Sequence, residues 1–252
     1  MSFRINSILL VPEIFKPLNI VAAQSTRLGG LSVSPYNELN LGFSSGDDLS
    51  IVKQNRKLFF DSLGISEENI AWSKLVHGNK VLFADKPVKG EDCDAVITDQ
   101  PNVFPCVSIA DCTPVLIYDT KQKACAAIHA GWRGTAANIV TETLQAMQNN
   151  YGTKGEDCLA FIGACIGENN FEVGEEVAIR FADDVKRFDP ERKKHFVDLK
   201  KENKKQLLKF GLKESNIEIS SYCTITDNDK FFSYRKEKGV TGRMLAVIGF
   251  RE

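Results

Sequence analysis

Between Ile70 and Ile128 the apolar residues come in short runs separated by polar turns: IAWSKLV, KVLFA, DAVIT, CVSIA, TPVLIYD and ACAAIHA. Runs of this length, rich in β-branched and aromatic residues, predict strands. The pattern lengthens elsewhere. LSIVKQNRKLFFDSLG places Ile51, Leu58, Phe59 and Leu63 at helical spacing, with Gly64 as a stop. TAANIVTETLQAMQNN predicts a second helix that begins at Ala136 behind Thr135 as N-cap. CLAFIGACI predicts another strand, FEVGEEVAIRFADD a helix, and KKENKKQLLKFGL a basic amphipathic helix whose lysines form a solvated face. The late segment KFFSYRKEKGVTGRMLAVIGF predicts a hairpin with Gly239 and Gly242 near its turn.

Several strands in succession, with helices interspersed irregularly, predict an α+β protein. No repeat, low-complexity tract or linker rich in Pro, Gly or Ser interrupts the chain, so one continuous domain is expected over residues 1–252. STRLGGLSVSPYNELNLGFSSGDD, Ser25–Asp48, is a long turn-rich loop. Loops of this length are functional or disordered, and its Tyr, Leu and Phe residues argue against disorder.

Composition removes several function classes. A formal net charge of −1 gives no electrostatic reason for a nucleic-acid or acidic-membrane partner. No apolar run reaches the length of a membrane span, and MSFRINSILLVPEIF carries no secretory signature. Seven cysteines, an odd number without a CxxC pair, fit reduced thiols and a cytoplasmic setting.

The chemistry concentrates where apolar runs end. In ADCTPVLIYDTKQKACAAIHAG, pairing Asp119 with Gln122 around a tight turn puts Cys112 directly opposite His129. Directly opposed side chains stand roughly 4.5–5.5 Å apart on one sheet face. Pro114 suggests that the strand pairs poorly there or lies at an edge. A thiol facing an imidazole can be a packed structural pair, a nucleophilic dyad, or two-thirds of a metal site. His77 in KLVHGNKV also ends an apolar run before a glycine and supplies a third donor. Two His and one Cys with an open position suit catalytic zinc. His195, in ERKKHFVD, has no such setting and reads as a surface or partly packed residue. Gly131, Gly134 and Arg133, ahead of a helix, read as an anion-binding turn or as a tight strand-to-helix connection.

Taken together, TRLGGLSVSPYNELNLG, LVHGNKV, DAVITD, ADCTPVLIYD, HAGWRGT, FEVGEEV and FFSYRKEKGVTGR resemble, in order, the YfiH-like family of "laccase-domain" or polyphenol-oxidase proteins. The resemblance spans about residues 26–243 and implies zinc bound by His77, Cys112 and His129. It implies an α+β fold with a mixed or antiparallel β-sandwich-like core flanked by helices. The activity it implies is phosphorolysis of adenosine, inosine and methylthioadenosine, with adenosine deamination alongside. Two stretches depart from the family pattern: Leu75 stands for Gln, and GACIGENNFEVG has Ala164, Asn169, Asn170 and Phe171 for Pro, a Cys pair and Tyr. Both bear on the substrate pocket.

Phosphorolysis needs cations and amide donors around inorganic phosphate and stabilisation of the leaving base. The candidates for phosphate are Arg27, Arg133 with Gly131 and Gly134, and Arg235 or Arg243; Asp94 and Asp111 are candidate supports or proton carriers. Arg27 and Asp94 join the three zinc ligands as catalytic candidates. Multicopper oxidation needs many imidazoles, and three histidines cannot build such a cluster. None of Met1, Met147 and Met244 is an obvious axial ligand for a blue-copper centre, so copper is secondary to zinc. The remaining alternatives are a Cys112–His129 hydrolase acting on amide bonds, as in peptidoglycan-precursor editing, and a zinc-stabilised binding module.

Overall fold

The computed structural model describes residues 8–252; the first seven residues of the stretch that lacks a secretory signature lie outside them. Chain order begins β1 (Leu9–Leu10), β2 (Ile20–Ser25), α1 (Leu49–Ser62), β3 (Ile70–Lys74), β4 (Val81–Phe83), β5 (Lys89–Asp92) and β6 (Ala95–Thr98). It continues with β7 (Phe104–Ile109), β8 (Thr113–Asp119), β9 (Ala124–Ala130), α2 (Trp132–Ala136), α3 (Ile139–Tyr151) and β10 (Cys158–Ile162). The last part holds β11 (Glu172–Val173), α4 (Glu175–Ala178), β12 (Lys186–Asp189), β13 (Lys194–Val197), α5 (Leu199–Phe210), β14 (Ile217–Ile219) and β15 (Met244–Phe250). No helix among the described residues is long and apolar enough to cross a membrane.

Two six-stranded mixed sheets form the centre, in the orders β1-β2-β15-β7-β3-β5 and β14-β10-β8-β9-β6-β4; a three-stranded sheet, β11-β13-β12, stands apart. Side chains alternate across each strand, and that alternation builds three cores. Val107, Ile109, Ala246 and Ile248 of the first sheet meet Leu116, Ala127 and Phe161 of the second. On the second sheet's other face, Val115, Ile117, Ala126 and Ile128 pack against Ile139, Leu144 and Met147 of α3 and Leu207 of α5. On the first sheet's other face, Ala23, Cys106 and Val247 pack against Phe59 and Phe60 of α1. The fold is therefore α+β, a sandwich of mixed sheets flanked by helices. Both faces of β8 and β9 are covered, which is why all seven residues of each are buried.

Five expectations from the sequence change. The β8–β9 turn is longer than a two-residue hairpin: Asp119 pairs with Ala124 and Pro114 with His129, so Cys112 does not sit directly across from His129. Asp119 closes this turn by accepting from the amides of Lys121 and Gln122, and Lys123 takes a positive φ of 54°. Pro114 lies near the start of a central strand rather than at an edge, with β10 and β9 on either side. The helix after His129 starts at Trp132 behind Gly131, so Thr135 lies inside it, and Asn138 in the left-handed region (φ 59°) breaks it from α3. FEVGEEVAIRFADD yields only the strand β11 and the four-residue α4, and the C-terminal segment makes no hairpin because β15 inserts between β2 and β7.

The sandwich positions the site. His77 lies on the connection from β3 to β4, and Asp111 and Cys112 on that from β7 to β8; both connections cross from one sheet to the other at the same end. His129 reaches that end on β9.

Candidate metal centre and substrate cavity

The donor atoms of His77, Cys112 and His129 all lie within 4.8 Å of one another. The two imidazoles stand edge to face, 4.9 Å between ring centres and 87° between planes. Asp94 organises them. Its carboxylate accepts from the backbone amides of His77 at 2.9 Å and Gly78 at 2.7 Å, fixing a turn in which His77 has a positive φ of 59°. The same carboxylate lies 2.9 Å from Nδ1 of His129, and the Asp94 carbonyl accepts from the His129 amide. With Nδ1–H committed to Asp94, Nε2 of His129 is the nitrogen with a free lone pair.

Charge in this cluster is coupled. Burial works against charging the Cys112 thiol, but His129 and His77 outweigh it and hold the thiol below its ordinary value. Burial likewise opposes a charged His129, and the Cys112 thiolate and Asp94 reverse that effect and push it up. For Asp94, burial is overcome by His129 and the Gly78 amide, and the carboxyl is lowered. The arrangement favours thiolate, the soft anionic donor that a borderline metal requires.

Gly131 is required by close approach: a Cβ there would lie 3.2 Å from Cys112 Sγ and 3.3 Å from the His77 ring. A Cβ on Gly134 would meet the Gly78 carbonyl at 2.6 Å, so α2 can seat against the His77 turn only with glycine there. The two glycines thus let the helix and the donor cluster approach, and α2 itself is only five residues long.

The donors open into a cavity of about 840 Å³ lined also by Arg56, Trp72, Leu75, Asp111, Arg133, Phe171, Arg235 and Arg243. Arg133 stacks on Trp132, its guanidinium 4.3 Å from the ring centre. Arg235 donates to the Glu172 carbonyl, and its backbone amide donates to Asp111 Oδ2. Arg243 donates to the carbonyls of Thr241 and Gly242 and lies 5.4 Å from the centre of the Tyr234 ring. Arg27 is placed elsewhere. It donates to the Asn37 and Asn228 carbonyls, pairs with Glu237 at 3.0 Å and stacks on Phe232, outside the cavity wall. His195, on β13, contacts Glu175 at 2.7 Å and takes no part.

Arg56 is the residue that sequence reasoning missed. It pairs with Glu67, donates to the Leu41 carbonyl and packs against Phe43, Phe60 and Trp72. Its Nη2 and Trp72 Nε1 are buried without hydrogen-bond partners. A signal existed: on α1 the inward face is Val52, Asn55, Arg56, Phe59 and Phe60, so two polar residues occupy an apolar stripe. Asn55 holds the long loop by bonding Leu31, Ser32, Glu38 and Asn40, which delivers Leu41–Ser44 to the cavity wall. Of the residues that depart from the family pattern, Leu75 and Phe171 line the cavity, whereas the Ala164 amide donates to Gln24 Oε1 and its carbonyl accepts from Gln24 Nε2. Met147 and Met244 are fully buried and do not line it.

A sequence model of the family described as "Multi-copper polyphenol oxidoreductase laccase" matches residues 21–251. The chain is 39% identical to a purine nucleoside phosphorylase of Bacteroides thetaiotaomicron, over 91% of each chain. It is 37% identical to the purine nucleoside phosphorylase YfiH of Escherichia coli, over 95% of this chain and 98% of the relative. The crystal structure of YlmD from Geobacillus stearothermophilus superposes with a TM-score of 0.92 at 29% identity, covering 99% of each chain.

Proposed function

The chain belongs to the family described as multi-copper polyphenol oxidoreductase laccase, and from its site we propose that it is a purine nucleoside phosphorylase with zinc as its metal. The observation that carries the reading is one cavity joining the His77–Cys112–His129 donors to Arg56, Arg133, Arg235 and Arg243 and to aromatic walls. A cationic, partly apolar pocket suits a purine nucleoside and inorganic phosphate together. The curated relatives named purine nucleoside phosphorylase support it.

The donor set fits zinc: one thiolate and two neutral imidazoles, with His129 oriented by Asp94, leave a fourth position open. When bound, zinc would supply Lewis-acid polarisation of a substrate oxygen. The oxidase chemistry in the family's description lacks its ligands here, since the chain holds three histidines and His195 lies outside the site.

The chain's own residues then divide the reaction. A phosphate oxygen bonds to the ribose C1′ as the C1′–N9 bond breaks and its electron pair leaves with the purine, which takes up a proton. Arg133, Arg235 and Arg243 hold the phosphate and offset its charge, with Arg133 kept in place by its stack on Trp132. Trp72 and Phe171 offer flat apolar walls to the base. Asp94 keeps the His129 proton on Nδ1 throughout.

Product analysis tests this. Adenosine or inosine incubated with phosphate should yield free base and ribose 1-phosphate in equal amounts. Base accompanied by free ribose, or inosine from adenosine without base, would assign hydrolysis or deamination instead.

A further inference from the structure

Cys165 and Cys223 lie outside the metal centre, yet the backbone brings them together. They are direct partners in an isolated parallel β-bridge, and the Thr224 amide donates to the Cys165 carbonyl at 3.0 Å. Paired residues on neighbouring strands project from the same face, with backbones roughly 4.7–4.9 Å apart. A disulfide needs Cα atoms roughly 4.4–6.8 Å apart. Both are free thiols.

The two sulfurs have opposite surroundings. Cys223 is partly exposed, and its Sγ accepts from the Gly167 amide and from Asn170 Nδ2, each at 3.2 Å. The Asn170 amide is itself oriented by Thr226 Oγ1 at 3.1 Å. Donors converging on one sulfur favour thiolate over thiol. Burial of Cys223 opposes this, but the Thr226, Gly167 and Ile225 amides prevail and lower the thiol. Cys165 is fully buried, its thiol donates to the Ile166 carbonyl at 3.4 Å, and burial pushes it up to about 11.

We propose that Cys223 is a peroxide-reactive modification site and that Cys165 resolves it as an intrachain disulfide. Cys223 thiolate attacks one oxygen of a hydroperoxide; the S–O bond forms, the O–O bond breaks, and the departing oxygen leaves as water or an alcohol after taking a proton. Cys165 then attacks the Cys223 sulfur. The S–S bond forms, the S–O bond breaks, and the hydroxide released carries the Cys165 proton away as water. The peroxide gains two electrons, one from each sulfur. An accessible, activated thiol beside a buried partner is the arrangement that directs oxidation toward a reversible disulfide.

The position gives the link a route to the cavity. Next to Cys223, Thr224 Oγ1 donates to Asp111 Oδ1 at 2.5 Å, and next to Cys165, the Ile166 amide donates to the Asp111 carbonyl at 2.9 Å. The disulfide would join the two bridged segments that seat the residue before Cys112.

The test is hydrogen peroxide added to reduced, zinc-loaded protein, followed by alkylation in denaturant and peptide mass mapping without reductant. The expected result is a Cys165–Cys223 linked peptide that dithiothreitol abolishes and that is absent from Cys223→Ser. In Cys165→Ser, Cys223 should persist as a sulfenic acid trapped by dimedone. Cys223 oxidised while Cys165 remains fully alkylatable, Cys223 linked to any other cysteine, or Cys223 left reduced while other thiols oxidise would each overturn the proposal. The wild-type map decides it even if a variant fails to fold.

Discussion

Asp94 Oδ1 lies 2.9 Å from Nδ1 of His129, and the same carboxylate binds the amides of His77 and Gly78. One side chain therefore fixes both histidines, one by its ring and the other through its backbone turn. The carboxylate is acceptor-only, and every partner is an N–H donor.

Asp94→Asn keeps the shape but turns an NH₂ group toward N–H donors. Zinc affinity should fall about 10- to 100-fold, the range for lost support of a ligating histidine. Chelator competition measures it. An affinity equal to wild type would show that Asp94 supports the fold alone.

Gly131→Ala places a methyl 3.2 Å from Cys112 Sγ and 3.3 Å from the His77 ring. It should weaken zinc binding and turnover with the circular dichroism spectrum unchanged. Gly152→Ala provides the contrast, because its Cβ meets nothing within 4 Å but φ is +76°. It should cost about 1–2 kcal/mol of stability and leave zinc affinity alone. Thermal unfolding and chelator titration on both variants separate the two effects.

The arginines should divide by location. Arg133→Ala, on the cavity wall, should raise the KM for phosphate about tenfold or more, as the loss of a charge-assisted hydrogen bond does. Arg27→Ala removes bonds to Asn37, Asn228 and Glu237. It should lower the melting temperature and leave the phosphate KM of the folded fraction unchanged. Steady-state kinetics at varied phosphate reads the difference.

Removing the metal should expose a selective thiol. His129 and His77 hold Cys112 low against its burial, while burial pushes the Cys106 and Cys158 thiols up to about 12. Brief iodoacetamide treatment of chelated protein should label Cys112 and Cys223, and zinc should protect Cys112 alone. Peptide mapping before and after reloading checks this; labelling of Cys112 at the same rate in both forms would count against the thiolate as a ligand.

Six of the seven strands from Ile70 to Ala130 were legible because their apolar runs are short and sharply bounded by turn residues, whereas β5, Lys89–Asp92, is exposed throughout and has no apolar run to mark it. The Cys112–His129 relationship was legible for a subtler reason. The true register differs from the tight-turn reading by two positions, and side chains repeat every two along a strand. The offset kept both residues on one face and moved Cys112 from opposite His129 to a diagonal place beyond the strand end. Phosphate-site geometry was less legible, because Arg27 and Arg133 both lie beside glycines in turn segments and only tertiary contacts distinguish them. Likewise β15 looked like half of a local hairpin, but its partners β2 and β7 lie far away in the chain. Arg56 stayed hidden because the apolar spacing ran through Ile51 and Leu58, whereas the buried face is Val52, Asn55, Arg56, Phe59 and Phe60 and Leu58 is exposed.

If the proposed function holds, the His77–Cys112–His129 cluster and phosphate act in one reaction. The most direct measurement is free-base release from adenosine and inosine by wild type and Cys112→Ala, each with and without phosphate, alongside zinc content per chain. The expected result is about one zinc per wild-type chain, base release only with phosphate, and loss of both zinc and turnover in the variant. Phosphate-dependent turnover that survives in Cys112→Ala without zinc would contradict it.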